Sequence, residues 1–207
     1  MEINTFPTKG NLILSKNTLV FAKQGYELLD RKRNILIREM MELIDSAKQI
    51  QAIIDTTFAD AYNALQRANI SMGIDEVERI SHALPIEDSV SVTFRSVMGS
   101  EIPIVTFKKE ELMPSYGFFR TTSSLDQACV MFHKVKELSL QLSMVENSIY
   151  RLAMNIKKTQ KRANALKNVT IPKYEKVVSE IQSFLEEKER EDFTRLKIIK
   201  RNKEKQQ

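Results

Sequence analysis

The side chains able to do chemistry are few in this sequence. Cys129 and His133 stand four residues apart, a spacing that places both on one helix face, and a thiol beside an imidazole is the beginning of a nucleophile pair. A working pair needs a third group to orient the imidazole, and none lies at a suitable spacing, so Cys129 reads as a small apolar helix residue. His82 is far from His133, and neither has a cysteine or carboxylate at ligand spacing, so no metal is expected. The five glycines are scattered and no G-x-x-x-x-G-K-S/T loop occurs, which removes the usual cradle for a nucleotide phosphate. No catalytic residue, cofactor or metal is expected, and the chain is not expected to be an enzyme.

What remains is charge. The net charge is +5, and it is unevenly spread. Near the C-terminus Arg195, Lys197, Lys200, Arg201, Lys203 and Lys205 face a single acid, Glu204, from residue 193 onward. The first third adds Lys9, Lys16, Lys23, Arg31, Lys32 and Arg33. If the two ends meet they make one basic tip. Such a tip is a solvated end, a nucleic-acid surface or a plug for a cavity in another protein, and the second lacks the interleaved aromatic side chains that stack bases. The run Glu186, Glu187, Glu189, Glu191 and Asp192, mixed with Lys188 and Arg190, reads as salt bridging on an exposed helix face.

These charges need elements to carry them. With 5 Gly, 5 Pro, no Trp and 29% charged residues, the composition favours long helices over a sheet protein. Over 128–166 apolar residues recur in steps of three and four, through Ala128, Val135, Leu142, Ile149, Leu152, Ile156 and Leu166, with Thr159 the polar exception. A 3.5-residue repeat stays buried only when two helices supercoil. The partner is in the same chain: Leu19, Leu29, Leu36, Leu43 and Ile50 lie on a second such series over 12–61, broken by Ser15, Arg33 and Thr57. Gly25 within it costs about 1 kcal/mol relative to alanine, for which a close helix approach is the expected reason. Thr8 after Pro7 is a suitable N-cap. Between 69 and 125 the period changes. Asp75 can cap a short helix over about 75–82, stopped before Pro85. Val90, Val92 and Phe94 alternate with polar residues, and Ile102, Ile104 and Phe107 follow a turn at Met98-Gly99-Ser100, which predicts a β-hairpin over about 90–107. Pro103 cannot donate a ladder hydrogen bond, so it is expected on an edge and facing outward. Pro114 and Gly117 mark a loop, and Ser124 with Gln127 forms a capping box for the second long helix. Pro172 either ends that helix or kinks it; the resumption at Tyr174, Val178, Ile181 and Leu185 favours a kink.

The expected fold is therefore all-α dominated: a long antiparallel intramolecular two-helix coiled coil with a small middle insert. Residues 1–69 make the first helix, 70–123 the insert with its short helix and hairpin, and 124–207 the second helix. Facing residues are expected to have numbers summing to roughly 210, at about 1.5 Å of rise per residue. That sets Leu19 by Phe193, Leu36 by Val178, and Arg33 by Ser179 and Glu180. No apolar run reaches 18 residues, so no transmembrane helix is expected. The start, MEINTFPTKG, has no apolar signal core, and a soluble cytoplasmic protein is expected.

Particular residues carry a resemblance. Pro7, Thr8 and Lys9, then Asn11, Leu12, Ala22, Gly25, Leu28, Leu29, Lys32 and Arg33, resemble the opening of the D subunit of the V-type rotary ATPases. Thr159, Arg162, Asn164, Ala165, Leu166, Ile171, Pro172, Glu187 through Arg190, Phe193, Arg195 and Lys197 resemble its closing helix. The resemblance covers both helical arms; the middle is similar in architecture more than in motif. It implies a central-stalk rotor axle without a nucleotide site of its own. The implied partners are the catalytic A and B subunits, the stalk's F subunit and a connector on the membrane ring, with no nucleic acid and no membrane insertion. Lys9, Lys16, Lys23, Arg195, Lys197, Lys200, Arg201 and Lys203 would contact the hexamer cavity. Val90, Val92, Phe94, Ile102, Ile104 and Phe107 would contact a stalk component. A prefoldin-like chaperone and a basic coiled-coil nucleic-acid binder are the competing classes.

Overall fold

Thr8 opens the first helix because its Oγ1 accepts the backbone N–H of Asn11 at 3.2 Å, satisfying one of the orphan donors of the first turn. The computed structural model describes residues 6–84, 90–107 and 116–206. In chain order these form helix α1 (Lys9–Met72), helix α2 (Ile74–Ser81), strand β1 (Val90–Val97), strand β2 (Ser100–Phe107), a 3-10 turn (Phe118–Arg120), helix α3 (Ser123–Ala165), a π-helical turn (Leu166–Thr170) and helix α4 (Ile171–Gln206). Among the described residues helices dominate and the one sheet has two antiparallel strands, so the fold is all-α with a hairpin in its insert. The readings at Pro85 and Pro114, and the side chains of Phe107 and Lys205, lie outside the described residues.

Two compact units divide the chain. The first takes residues up to Asn34 and from Lys157 onward; the second runs from Ile35 to Ile156.

In the first unit α1 packs antiparallel on α3, the π-turn and α4. Lys9 pairs with Glu189 at 2.9 Å and Lys23 with Glu175 at 2.7 Å. The seam here is built from small residues: Ser15, Ala22, Thr159 and Ala163 are buried with Ile181, while Leu19, Leu29, Leu166 and Leu185 are half-buried. The expected register is wrong by several turns. Leu19 lines a groove with Val178 and Ser179 rather than facing Phe193. Arg33 meets neither Ser179 nor Glu180: it pairs with Asp30 at 2.7 Å and donates to Gln160 Oε1 at 2.9 Å. Leu36 belongs to the second unit and Val178 to the first. The antiparallel level is set where the chain turns round, and the extrapolated sum placed that turn too far along.

Gly25 also departs from expectation. A Cβ there would meet only Leu166 Cδ1, at 3.7 Å, an ordinary contact, so no close approach requires glycine. Gly25→Ala is expected to raise stability by roughly 0.5–1 kcal/mol, the helix-propensity difference. A denaturant midpoint that falls would show that the helices approach more closely than this geometry.

In the second unit Leu36, Ile54, Ala61, Ala64, Ala68, Leu125, Ala128, Val135, Val145 and Leu152 form the core, with Leu43, Ile50, Leu142, Ile149 and Ile156 half-buried. Thr57, also buried, donates its hydroxyl to Ile53 O at 2.7 Å, which is how a polar seam position is tolerated. Tyr62 meets Phe132 edge-on, centroids 5.5 Å apart. The helices reverse where Ser71 Oγ and Thr122 Oγ1 approach to 3.3 Å. Thr122, not the box at Ser124, starts α3: its carbonyl accepts the N–H of Leu125 at 2.9 Å, and Ser124 is already helical. Gly73, with φ +87°, ends α1 and occupies the N-cap of α2, so Asp75 sits inside the first turn, where its charge suits the helix dipole.

The hairpin turns at Met98 and Gly99, both with positive φ (50° and 72°), as a two-residue turn matching strand twist demands. Val92 faces Val105 and Phe94 faces Pro103 across the ladder. Val105 N–H points away from β1, to Met144 Sδ of α3 at 3.3 Å. Backbone direction alternates along a strand, so the nitrogen of Pro103 also points away from β1 and no ladder bond is lost. Its ring, however, is buried rather than outward. The missing N–H lies in the sheet plane and the ring perpendicular to it; one constraint does not dictate the other.

Candidate interaction surface

The first unit inverts the usual amphipathic helix. Small side chains fill its seam, while on α1 Leu14, Phe21 and Leu28, with Ile13 and Val20, are exposed. Leu14, Phe21 and Leu28 repeat every seven residues, so they form one stripe outside the seam. An exposed apolar stripe outside the seam is a candidate contact surface. Sequence reasoning passed over it, because the series that closes the coiled coil takes the other face of the same helix.

Helix α4 continues the pattern. From Glu186 to Glu204 every residue is exposed, including Phe193, Leu196, Ile198 and Ile199. Since Lys9 already faces Glu189, this segment extends past the start of α1. Lys203 lies 14 residues beyond Glu189, about 21 Å along the helix. The expected single basic tip is therefore not assembled. Arg195, Lys197, Lys200, Arg201 and Lys203 sit on the protruding end, and Lys9, Lys16 and Lys23 sit behind it on α1. Arg195 approaches Glu191 at 3.8 Å and Lys200 approaches Glu204 at 3.9 Å, both on their own helix. The Lys9–Glu189 contact raises the lysine pKa and lowers that of the glutamate, chiefly through the hydrogen bond between them. Both groups are fully exposed, so the pair adds little stability.

The hairpin residues do not share one face. Val90, Val92 and Phe94 of β1 lie with Pro103, and Ile102 and Ile104 project from the opposite side. Arg151 of α3 stacks its guanidinium on the Phe94 ring at 5.1 Å and reaches Glu101 O at 3.5 Å, fastening β1 and β2 to the helix. Val92 and Phe94 remain more than half exposed, whereas Ile102 and Ile104 are half-buried.

Cys129 lies among groups the spacing did not reveal. Tyr116 donates its hydroxyl to Asp126 Oδ1 at 2.8 Å and lies 3.6 Å from Cys129 Sγ. Burial, then the bonds to Cys129 and Asp126, push the Tyr116 phenol well above its usual range, so it stays a donor through the physiological span. His133 faces Glu137 at 3.7 Å, a carboxylate the sequence reading overlooked. Among the described residues no group of three His, Cys, Asp or Glu side chains converges for a metal, and no helix is long and apolar enough to cross a membrane.

Residues 11–201 match the family model that describes the D subunit of ATP synthase. The chain is 43% identical to the V-type ATP synthase D subunit of Thermotoga neapolitana over 94% of its own length and 96% of that protein. It is 32% identical to the A-type ATP synthase D subunit of Pyrococcus horikoshii (94% and 92% covered) and 34% identical to that of Thermococcus kodakarensis (96% and 94%). A match across both long helices and the insert between them leaves one conclusion: the chain belongs to the ATP synthase D-subunit family.

Proposed function

We propose that this chain is the central rotor shaft of a V-type ATPase/ATP synthase, coupling ATP hydrolysis or synthesis in a catalytic A/B hexamer to rotation of a membrane ring and ion transport. The carrying observation is the protruding, fully exposed end of α4 with its mixed apolar and basic side chains, on a chain of the D-subunit family. An end that buries nothing of its own is suited to insertion in a cavity. The shaft is a structural component: three equivalent catalytic interfaces meet its asymmetric surface one at a time, and whichever it touches is biased toward one conformation by differential binding. The basic residues of α1 and α4 face the hexamer, and the hairpin docks on a neighbouring stalk subunit, F, at the cytoplasmic side of the membrane. Neither a prefoldin-like chaperone nor a nucleic-acid binder is favoured by this family.

Affinity purification of the chain at native levels is expected to bring down the A, B and F subunits. Replacing the hairpin, residues 90–107, by a short turn is expected to reduce recovery of the stalk partners while A and B remain. Absence of A and B from the wild-type eluate would overturn the rotor reading; full recovery of every stalk partner without the hairpin would overturn its docking role.

A further inference from the structure

We infer that the π-turn Leu166–Thr170 is a register device, placed where the apolar seam slips by one residue and pinned there by Pro172. The inference concerns the helix pair alone and stands whether or not the chain is a rotor.

On α3 the seam steps by three and four through Leu152, Ile156, Thr159, Ala163 and Leu166. Continued at that spacing it would pass through Lys173, Val177, Glu180 and Phe184. Over 173–178 the positions of both phases are half-buried, and from 180 onward the structure buries the positions one residue later. Ile181 is 4% exposed, whereas Glu180 is exposed and Phe184 is 49% exposed. Leu185 is half-buried. Helix α1 has no such slip: its buried Ser15, Ala22, Leu36, Thr57 and Ala64 all lie at multiples of seven from one another. One helix of the pair therefore carries a residue the other does not match.

A regular α-helix turns by about 100° per residue. An extra residue would rotate all of α4 by that angle, bringing Glu180 and Phe184 onto the seam and carrying Ile181 away from it. A π-turn, closed by hydrogen bonds one residue longer, takes up the residue without that rotation. The N–H of Ile171 bonds to Leu166 O, five residues back, which is the defining bond of such a turn. The turn is packed: Leu166 Cδ1 lies where a Cβ of Gly25 would touch it, and Lys167 Nζ sits over the Tyr26 ring at 5.7 Å.

Pro172 explains the location. In a regular helix its ring would strike the carbonyl of Asn168, and it has no N–H to offer. The widened turn just before it moves that carbonyl aside, so shifting the extra residue elsewhere would restore the clash. The protruding end lies further along the same helix α4, so the angular position of Phe193, Leu196 and Lys197 relative to the seam is set by this turn.

The test reads the phase of α4 beyond the turn in the full chain. Cysteines at Lys9→Cys and Glu189→Cys, in a Cys129→Ala background, are bridged by a short bis-maleimide, since the native side chains pair at 2.9 Å. Deleting Asn168 together with Pro172→Ala is expected to turn the π-turn into an α-turn, leaving crosslinking yield and unfolding midpoint as in Pro172→Ala alone. Deleting Glu180, in regular α4, is expected to abolish the crosslink. Loss of the crosslink or of folding on deleting Asn168 overturns the proposal. Retention after both deletions overturns it too, because the extra residue would then have no fixed place. Pro172→Ala alone is expected to speed amide hydrogen exchange across 164–172, and unchanged exchange there would remove the proline from its pinning role.

Discussion

Leu152→Ala is expected to lower the unfolding free energy by about 3 kcal/mol, within the range for deleting a leucine side chain from a packed core. Leu152 is 0% exposed, as is Leu36, and these are the largest fully enclosed side chains among the described residues. A helix pair has little core to spare, since each residue touches one partner element and the seam is narrow. Urea unfolding followed by circular dichroism measures the shift. Tyr150→Ala, on the exposed side of the same turn, is the control and is expected to stay within about 0.5 kcal/mol. Equal effects at the two positions would mean that Leu152 does not lie on the seam. In the proposed rotor role the same substitution is expected to weaken coupling between hydrolysis and pumping.

Removing residues 193–207 is expected to do the opposite: little change in stability and a large change in association. None of the described side chains beyond Leu185 is even half-buried, so the truncated chain should unfold at nearly the same denaturant concentration. Its affinity for an A/B hexamer is expected to fall on the order of a hundredfold, equivalent to about 2.7 kcal/mol. Two partial variants separate the contributions. Replacing Phe193, Leu196 and Ile199 by alanine should chiefly speed dissociation. Replacing Lys197, Lys200 and Arg201 by glutamine should chiefly slow association and flatten its salt dependence. A truncated chain that binds as tightly as the full one would remove the protruding end from the interface.

Much of this fold was legible because long amphipathic helices write themselves in a period of 3.5. The apolar series over 12–61 and 128–166 named the helices that pair, and alternation around Met98 and Gly99 named the hairpin. The surface was less legible. Lysines and arginines stand out as contacts, yet Lys9 and Lys23 are engaged with Glu189 and Glu175 of the same unit. The exposed stripe of Leu14, Phe21 and Leu28 was present in the sequence as a second seven-residue repeat, hidden by the assumption that large apolar residues point inward. The cluster of Tyr116, Asp126 and Cys129 had no local signal, because one member comes from the loop before the helix that carries the other two.

By itself the sequence determined that two long helices pair within one chain and that a hairpin interrupts them. Those properties follow from local periodicity, which each helix carries independently of its partner. Only the tertiary structure decided the register of the pair, the direction of the Pro103 ring, the loss of any need for glycine at position 25, and the extra residue stored before Pro172. Register depends on where the chain turns and on how two surfaces interlock, and a periodic pattern fits itself equally well at every shift of seven.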